Sequence, residues 1–294
     1  MATTLTTLTL DIAAKEAILA ARAPLAPLGR FAHSFAVAEN EKGNVVKVPV
    51  FSRGAAADFG ASNNYTSATS AGVAGKNIPL DKHKWCSNRL LPDDAMETEV
   101  GRDWAAQTAV ACVESVAKAL ADDALAAIKA GGTASASLFG SATSYLKKVA
   151  AARAAAITAG IDPARATLLV TPAFYSELLS ELPADVYGSR DALLDGVIDR
   201  VLGFGRIAEV NYTGLDGAVV ADDAFGIATR LPLVQNPDLY EVSDVSVPEV
   251  GPWSFRVRAT GANATDAKFL GAELVYGVAV LQPTAILVKT TAAS

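Results

Sequence analysis

Basic charge, histidine, cysteine and aromatic side chains are all scarce in this chain, and each shortage closes a route to function. The 25 lysines and arginines are outnumbered by 31 acids, for a net charge of -6. A general nucleic-acid binder draws its affinity from cations meeting phosphate, so this balance argues against one, though not against a local basic patch. The two histidines, His33 and His83, show no cysteine or carboxylate spacing that would make a metal site. The two cysteines, Cys86 and Cys112, build no disulfide framework. They read as small core hydrophobes in a reducing compartment. No G-x-S-x-G nucleophile elbow is present. No apolar run reaches the roughly 20 residues that span a bilayer, and residues 1–10 lack the basic start and apolar block of a secretory signal. The carboxylate pairs Asp93-Asp94 and Asp222-Asp223 sit where helix starts are expected, so capping explains them without catalysis. Aromatics make up 7% of the chain, and Trp85, Trp104 and Trp253 read as core or interface anchors. No cofactor, metal or membrane partner is expected.

What the chain does have is a long extended arm. Val45 to Phe51 is strand-like, and a second strand-like segment runs from Lys76 through Ile78 and Leu80 to Trp85. Between them, residues 52–75 are made largely of Ala, Ser, Gly, Asn and Thr. A loop that long inside a small domain is unusual, and a hairpin with a small-residue tip cannot bury itself. The arm carries Lys42, Lys47, Arg53, Lys76, Lys82, Lys84 and Arg89 against Glu41, Asp58 and Asp81, a locally basic stretch on an acidic protein. It is expected to dock on an acidic face of another copy, with Phe51, Arg53, Lys76, Ile78, Leu80, Lys82, Lys84 and Trp85 as the contact residues.

One long helix is expected from Asp93 to Ala130. Pro92 and Asp93 open it, acids occupy its first turns, and Gly131-Gly132 closes it. Its apolar residues recur every fourth position from Met96 to Ile128. Such a row drifts around the helix, so successive parts should meet different neighbours. Upstream, Asp11 can cap a short helix that Pro24 and Pro27 end. Downstream, a helix is expected over Tyr145 to Gly160, a strand over Ala166 to Val170 and a helix from Pro172. Strands follow at Arg206 to Asn211 and Ala218 to Val220, then a short helix from Asp222 to Ala228. Residues 238–259 and 270–289 are strand-rich. The segment Gly203-Phe204-Gly205-Arg206-Ile207-Ala208 matches a dinucleotide fingerprint literally. The fingerprint must open a helix, whereas this one leads into a strand-like run.

The order of these parts resembles the major capsid proteins of tailed bacteriophages. The matching segments are Val45–Trp85, Asp93–Ala130, 141–236 and 237–269. Local matches lie at Leu168 to Tyr175, Gly203 to Asn211, Val220 to Ala228 and Val280 to Lys289. The resemblance implies an α+β fold of the Hong Kong 97 type. Its parts would be an N-terminal arm (1–43), an E-loop hairpin (44–88), a β-rich peripheral domain with the spine helix (89–140 and 237–269) and an α/β axial domain (141–236 and 270–294). It further implies a structural, non-enzymatic role: self-assembly through hexameric and pentameric capsomers into an icosahedral virion shell, formed in the host cytoplasm around double-stranded DNA. The DNA would be contacted without sequence preference. Scaffold, portal and decoration proteins are the implied further partners. The family's lysine–asparagine cross-link is not carried over to Lys76 and Asn263, because no glutamate lies near Asn263 in the sequence. An encapsulin-like nanocompartment is the alternative, and an NAD(P)-binding oxidoreductase resting on Gly203 to Ala208 is a remote one.

Overall fold

The longest apolar pattern becomes the longest element. In the computed structural model, which describes residues 21–36, 44–51, 73–90, 100–181, 201–232, 240–247, 253–261 and 268–291, helix α2 runs over Val100–Gly131, 32 residues without a break. Its expected start at Asp93 lies outside the described residues. The strands named below are β1 (His33–Ala36), β2 (Val45–Phe51), β3 (Val73–Pro79), β4 (Lys82–Leu90), β5 (Thr133–Ala134), β6 (Ala166–Val170), β7 (Arg206–Glu209), β8 (Gly217–Ala221), β9 (Phe225–Arg230), β10 (Tyr240–Val247), β11 (Trp253–Gly261), β12 (Lys268–Val280) and β13 (Ile286–Lys289). Helix α1 covers 21–31 among the described residues, α3 is Tyr145–Thr158 and α4 is Pro172–Glu181.

Strand β12 is the centre of a six-stranded sheet ordered β1-β9-β12-β11-β10, with β4 also paired to β12. Residues 268–273 of β12 pair with both β11 and β4, so those two strands take opposite edges. Val275 and Tyr276 pair with both β4 and β9, which puts β9 on the β11 edge, further along. Helix α2 lies along this strand in the same direction. Cys112 meets Leu270, Ala119 and Asp123 meet Tyr276, and Gly131 meets Val280. The lengths agree: the helix covers about 29 Å between Cys112 and Gly131, and the strand about 33 Å between Leu270 and Val280.

The every-fourth row therefore stays buried from Cys112 through Val116, Leu120 and Ala124 to Ile128. A second row, Ala109, Val113 and Ala117, widens the strip and absorbs the drift. The neighbours do change along the helix, as expected. Asn88 of β4 touches Cys112, and at the far end Ile286 and Val288 of β13 press on Gly132.

A five-stranded sheet, β5-β13-β8-β6-β7, forms the second layer. Its outer face is covered by Val149, Ala152 and Ala156 of α3 and by Phe174 and Leu178 of α4. The start of α3 is capped from a distance. Glu181, at the end of α4, accepts hydrogen bonds from the Ser144 hydroxyl at 2.9 Å and the Leu146 amide at 3.0 Å.

Four expectations need correction. Residues 222–228 are a turn followed by strand β9, not a helix. The run Phe225 to Ala228 is buried on both faces and hydrogen-bonded on both edges, by β1 and β12, and so short an apolar run has no helical period to betray it. Helix α1 passes through Pro24 and Pro27 instead of ending there. Burial of Ala21, Leu25, Leu28 and Phe31 outweighs the hydrogen bonds the prolines cannot make. The described part of the N-terminal segment is thus packed into the body. Arg30 donates to the Ile207 carbonyl at 2.5 Å, and Phe31 packs on Phe225. Finally, a boundary at 269/270 would cut β12, which is one continuous strand of 13 residues.

Truncating Leu120, fully buried on the α2 strip, should cost about 3 kcal/mol as Leu120→Ala. Urea unfolding of the unassembled subunit measures it. A loss below about 1 kcal/mol would mean that α2 does not pack on β12 as described.

Candidate functional site: the hairpin and its base

Strands β2 and β3 pair antiparallel from Val45↔Pro79 to Phe51↔Val73 and form a sheet of their own. The tip between them, including Arg53, lies outside the described residues. The hairpin is anchored at its base. Val48, Ile78 and Leu80 form a buried cluster with Ala228, Val275 and Leu281 of the body. The Leu80 amide donates to the Asn44 carbonyl at 2.7 Å and closes the hairpin. Two glycines let the ribbon approach. A Cβ at Gly226 would meet Ile78 Cδ1 at 2.8 Å, and one at Gly277 would collide with the Pro79 carbonyl.

After Pro79 the chain turns at Leu80 and Asp81 and starts a new strand, β4, on the body sheet. The second arm of the expected hairpin is thus two strands with different roles. Pro79 offers no amide to continue the ladder, and Asp81 is exposed at the corner.

This division sorts the expected contact residues. Phe51 sits at the outer end of β2, opposite Val73. Lys76 is exposed on β3, and a Cβ on its neighbour Gly75 would meet nothing within 4 Å. Ile78 and Leu80 are 0% and 6% exposed within their own subunit, so they anchor the hairpin rather than meet a neighbour. Lys82 forms an ion pair with Asp123 of α2 at 3.0 Å, and Lys84 lies 3.8 Å from the same carboxylate. Those two cations are engaged within the subunit. Trp85 is 70% exposed. It borders a cleft of about 200 Å³ lined also by Cys86, Arg258, Phe269 and Glu273.

Asp123 is the hub that sequence reading missed. The Tyr276 hydroxyl donates to it at 2.6 Å, alongside Lys82. Burial by itself would raise its pKa, but the tyrosine hydroxyl and the two lysines overcome that and hold the carboxyl below its usual value. Burial, reinforced by Asp123, pushes the Tyr276 phenol up, so it stays a donor. A second polar group lies deeper in β4 and β12. Glu273 is buried and takes contacts from Arg258 and from His83 Nε2, the latter at 3.1 Å. Burial and then the Arg258 charge lower the His83 pKa, so near neutral pH the ring is uncharged and donates to Glu273.

No catalytic constellation emerges among the described residues, and no group of three or more potential metal ligands lies together. The dinucleotide fingerprint fails structurally: Gly205 leads into strand β7, not a helix, and a Cβ there would collide with the Ala164 carbonyl. Trp253 is a buried core residue, and no described helix is long and apolar enough to cross a membrane.

No family model and no curated protein matches the chain. Solved structures do. A structure from Mycobacterium phage Che8 is 22% identical, with a TM-score of 0.57 over 84% of this chain and 85% of that one. The capsid of cyanophage P-SCSP1u is 15% identical, with a TM-score of 0.57 over 90% and 87%. A virus-like particle from Pyrococcus furiosus is 12% identical, with a TM-score of 0.55 over 95% and 96%. At these identities the likeness is one of fold: the chain has the fold found in phage capsid structures.

The Asp123 hub sets a pH dependence. A folded pKa below the unfolded value of 3.8 means stability present above 3.8 and lost as pH falls through the folded value. Asp123→Asn should be less stable at neutral pH and show a flatter decline between about pH 5 and pH 2. Acid titration followed by circular dichroism compares the two proteins, and parallel curves would remove Asp123 from the account.

Proposed function

We propose that this chain is a shell-forming structural protein, the major capsid subunit of an icosahedral head that encloses double-stranded DNA. The observation that carries the reading is the extent of the fold match, from 84% to 95% of this chain in the structures above. The hairpin supports it. A two-stranded ribbon is at best marginal alone in water, and among the described residues its own subunit buries it through Val48, Ile78 and Leu80. Neighbouring copies in hexameric and pentameric capsomers supply the remaining contacts. Trp85, Lys76, Phe51 and Arg53 are the proposed neighbour contacts. Portal, scaffold and decoration proteins are further partners of such a shell. With a net charge of -6, contact with packaged DNA is weak and sequence-independent. The role is mechanical, with no turnover.

The second reading is an encapsulin-like shell around a protein cargo. It draws on the virus-like particle from Pyrococcus furiosus, matched over 95% of this chain. The contents separate the two: nuclease-protected DNA supports a viral head, and a co-purifying enzyme supports a nanocompartment.

Negative-stain microscopy of the purified protein should show closed shells of uniform diameter. A protein that stays monomeric across concentration, salt and added scaffold would overturn the reading. Trp85→Ala should raise the subunit concentration needed for assembly more than about tenfold, as removal of an aromatic anchor does. Its thermal midpoint as an unassembled subunit should stay unchanged, since the side chain is exposed. Lys82→Glu should instead destabilise the subunit itself, because it sets two carboxylates against each other at Asp123.

A further inference from the structure

The chain's two cysteines, Cys86 and Cys112, are far apart in sequence and belong to different layers. The fold brings them together. Cys112 is fully buried on the face of α2 that meets the β4–β12 pair. Its sulfur lies 3.9 Å from the Leu270 carbonyl and receives the Asn88 side-chain amide at 3.7 Å. Asn88 and Cys86 are two apart on β4, so both project from the same face of the strand. Their partners across the ladder, Leu270 and Ala272, flank the same spot. Cys86 packs against the core cluster that contains Cys112, and the two thiols are close enough that Cys86 raises the Cys112 pKa.

We propose that Cys86 and Cys112 are a redox-active pair that closes to an intrasubunit disulfide, stapling β4 at the base of the hairpin to the spine helix α2. The oxidant is a small-molecule disulfide, RSSR. The Cys86 thiolate, on the half-buried residue, attacks one sulfur of RSSR. A mixed disulfide forms on Cys86, and the first RS⁻ leaves and takes up a proton. The Cys112 thiol then loses its proton to solvent, and its thiolate attacks the Cys86 sulfur. The protein disulfide forms as the second RS⁻ departs and is protonated. Two protein thiols are oxidised, and one RSSR is reduced to two RSH.

The order of attack follows from burial. Burial first, and then the neighbouring Cys86, push the Cys112 thiol up to about 12, so it is a poor first nucleophile and acts as the resolving one. Closure is therefore slow near neutral pH and quickens as pH rises. The staple adds to a joint between β4 and α2 that the Lys82 and Lys84 contacts with Asp123 also bridge. Under the shell reading, on which this consequence rests, a subunit made and assembled in reducing surroundings would lock its hairpin base after release into oxidising ones.

The test treats the purified protein with oxidised glutathione across a pH series, then maps peptides by mass spectrometry without reduction. A Cys86–Cys112 cross-linked peptide pair is the expected product. It should form faster at higher pH and raise the thermal midpoint by roughly 5–10 °C, an increase that a reductant reverses. Cys86→Ser, at the more exposed position, should abolish both the cross-link and the shift. Cys112→Ala serves as a second control that leaves no buried hydroxyl. Persistent glutathione adducts on Cys86, a covalent dimer, or thiols that stay unreacted would each overturn the pairing. Because the readouts are made on the subunit, a cross-link in a protein that never forms shells would uphold the pair and defeat the shell reading alone.

Discussion

The packing of α2 along β12 is the constraint on which the rest of the fold depends. The helix and strand run in the same direction and match in length, so one strip of small and medium side chains serves nearly the whole interface. Cys112, Val116, Leu120, Ala124 and Ile128 face Leu270, Leu274 and Tyr276 in a single buried cluster. Strand β12 then hands its edges to everything else: β4 on one side, β11 and β9 in succession on the other. The second sheet joins at the far end of the same helix, where Gly132 allows β13 to approach. A shift of α2 against β12 would disturb the six-stranded sheet, the hairpin base and the joint between the layers together.

The hairpin base follows from that arrangement. Strand β4 lies beneath α2 because β12 places it there, and its alternating side chains divide between helix and solvent. Cys86 and Asn88 turn toward α2. Trp85 and Arg89 are exposed. Lys82 reaches Asp123 at the edge of the contact. Apolar packing by Ile78 and Leu80 resists salt, whereas the Lys82–Asp123 pair is half-exposed and contributes on the order of 1 kcal/mol. The hairpin is therefore held chiefly by burial, with the ion pair and the Tyr276 hydrogen bond fixing direction.

What could be read from sequence was whatever left a local period. Helices α2, α3 and α4 carried helical spacing and clear stops. Strands β2, β6, β7 and β8 carried alternation or short buried runs between turn residues. The extended hairpin stood out through composition. What escaped had only long-range causes. Strand β9 is indistinguishable from a buried helical turn until β1 and β12 pair with it. Helix α1 crosses two prolines because four apolar side chains find a core that is distant in sequence. The break between β3 and β4 has one local clue, Pro79, and that clue fits an edge strand equally well. Asp123 was one acid among many on a long helix. Nothing near it in sequence announces Tyr276 or Lys82, and nothing near Cys112 announces Cys86.

The same distinction explains why a count of cations along the arm overstates the charge left free on its surface. Counting cations along the arm treats each as free for a neighbour, yet a lysine on β4 lies within reach of the acidic helix its own strand packs against. Lys82 and Lys84 both reach Asp123, so the arm's positive charge is partly neutralised before any second subunit arrives. What remains available beside the hairpin is an exposed tryptophan next to a half-polar cleft and, on β3, a lysine in open surroundings. Aromatic area is not screened by salt and carries much of the energy at interface centres. Under the proposed shell function, assembly through this face should depend on Trp85 and on the geometry of the hairpin base more than on ionic strength, with the residual charge acting on the rate of encounter.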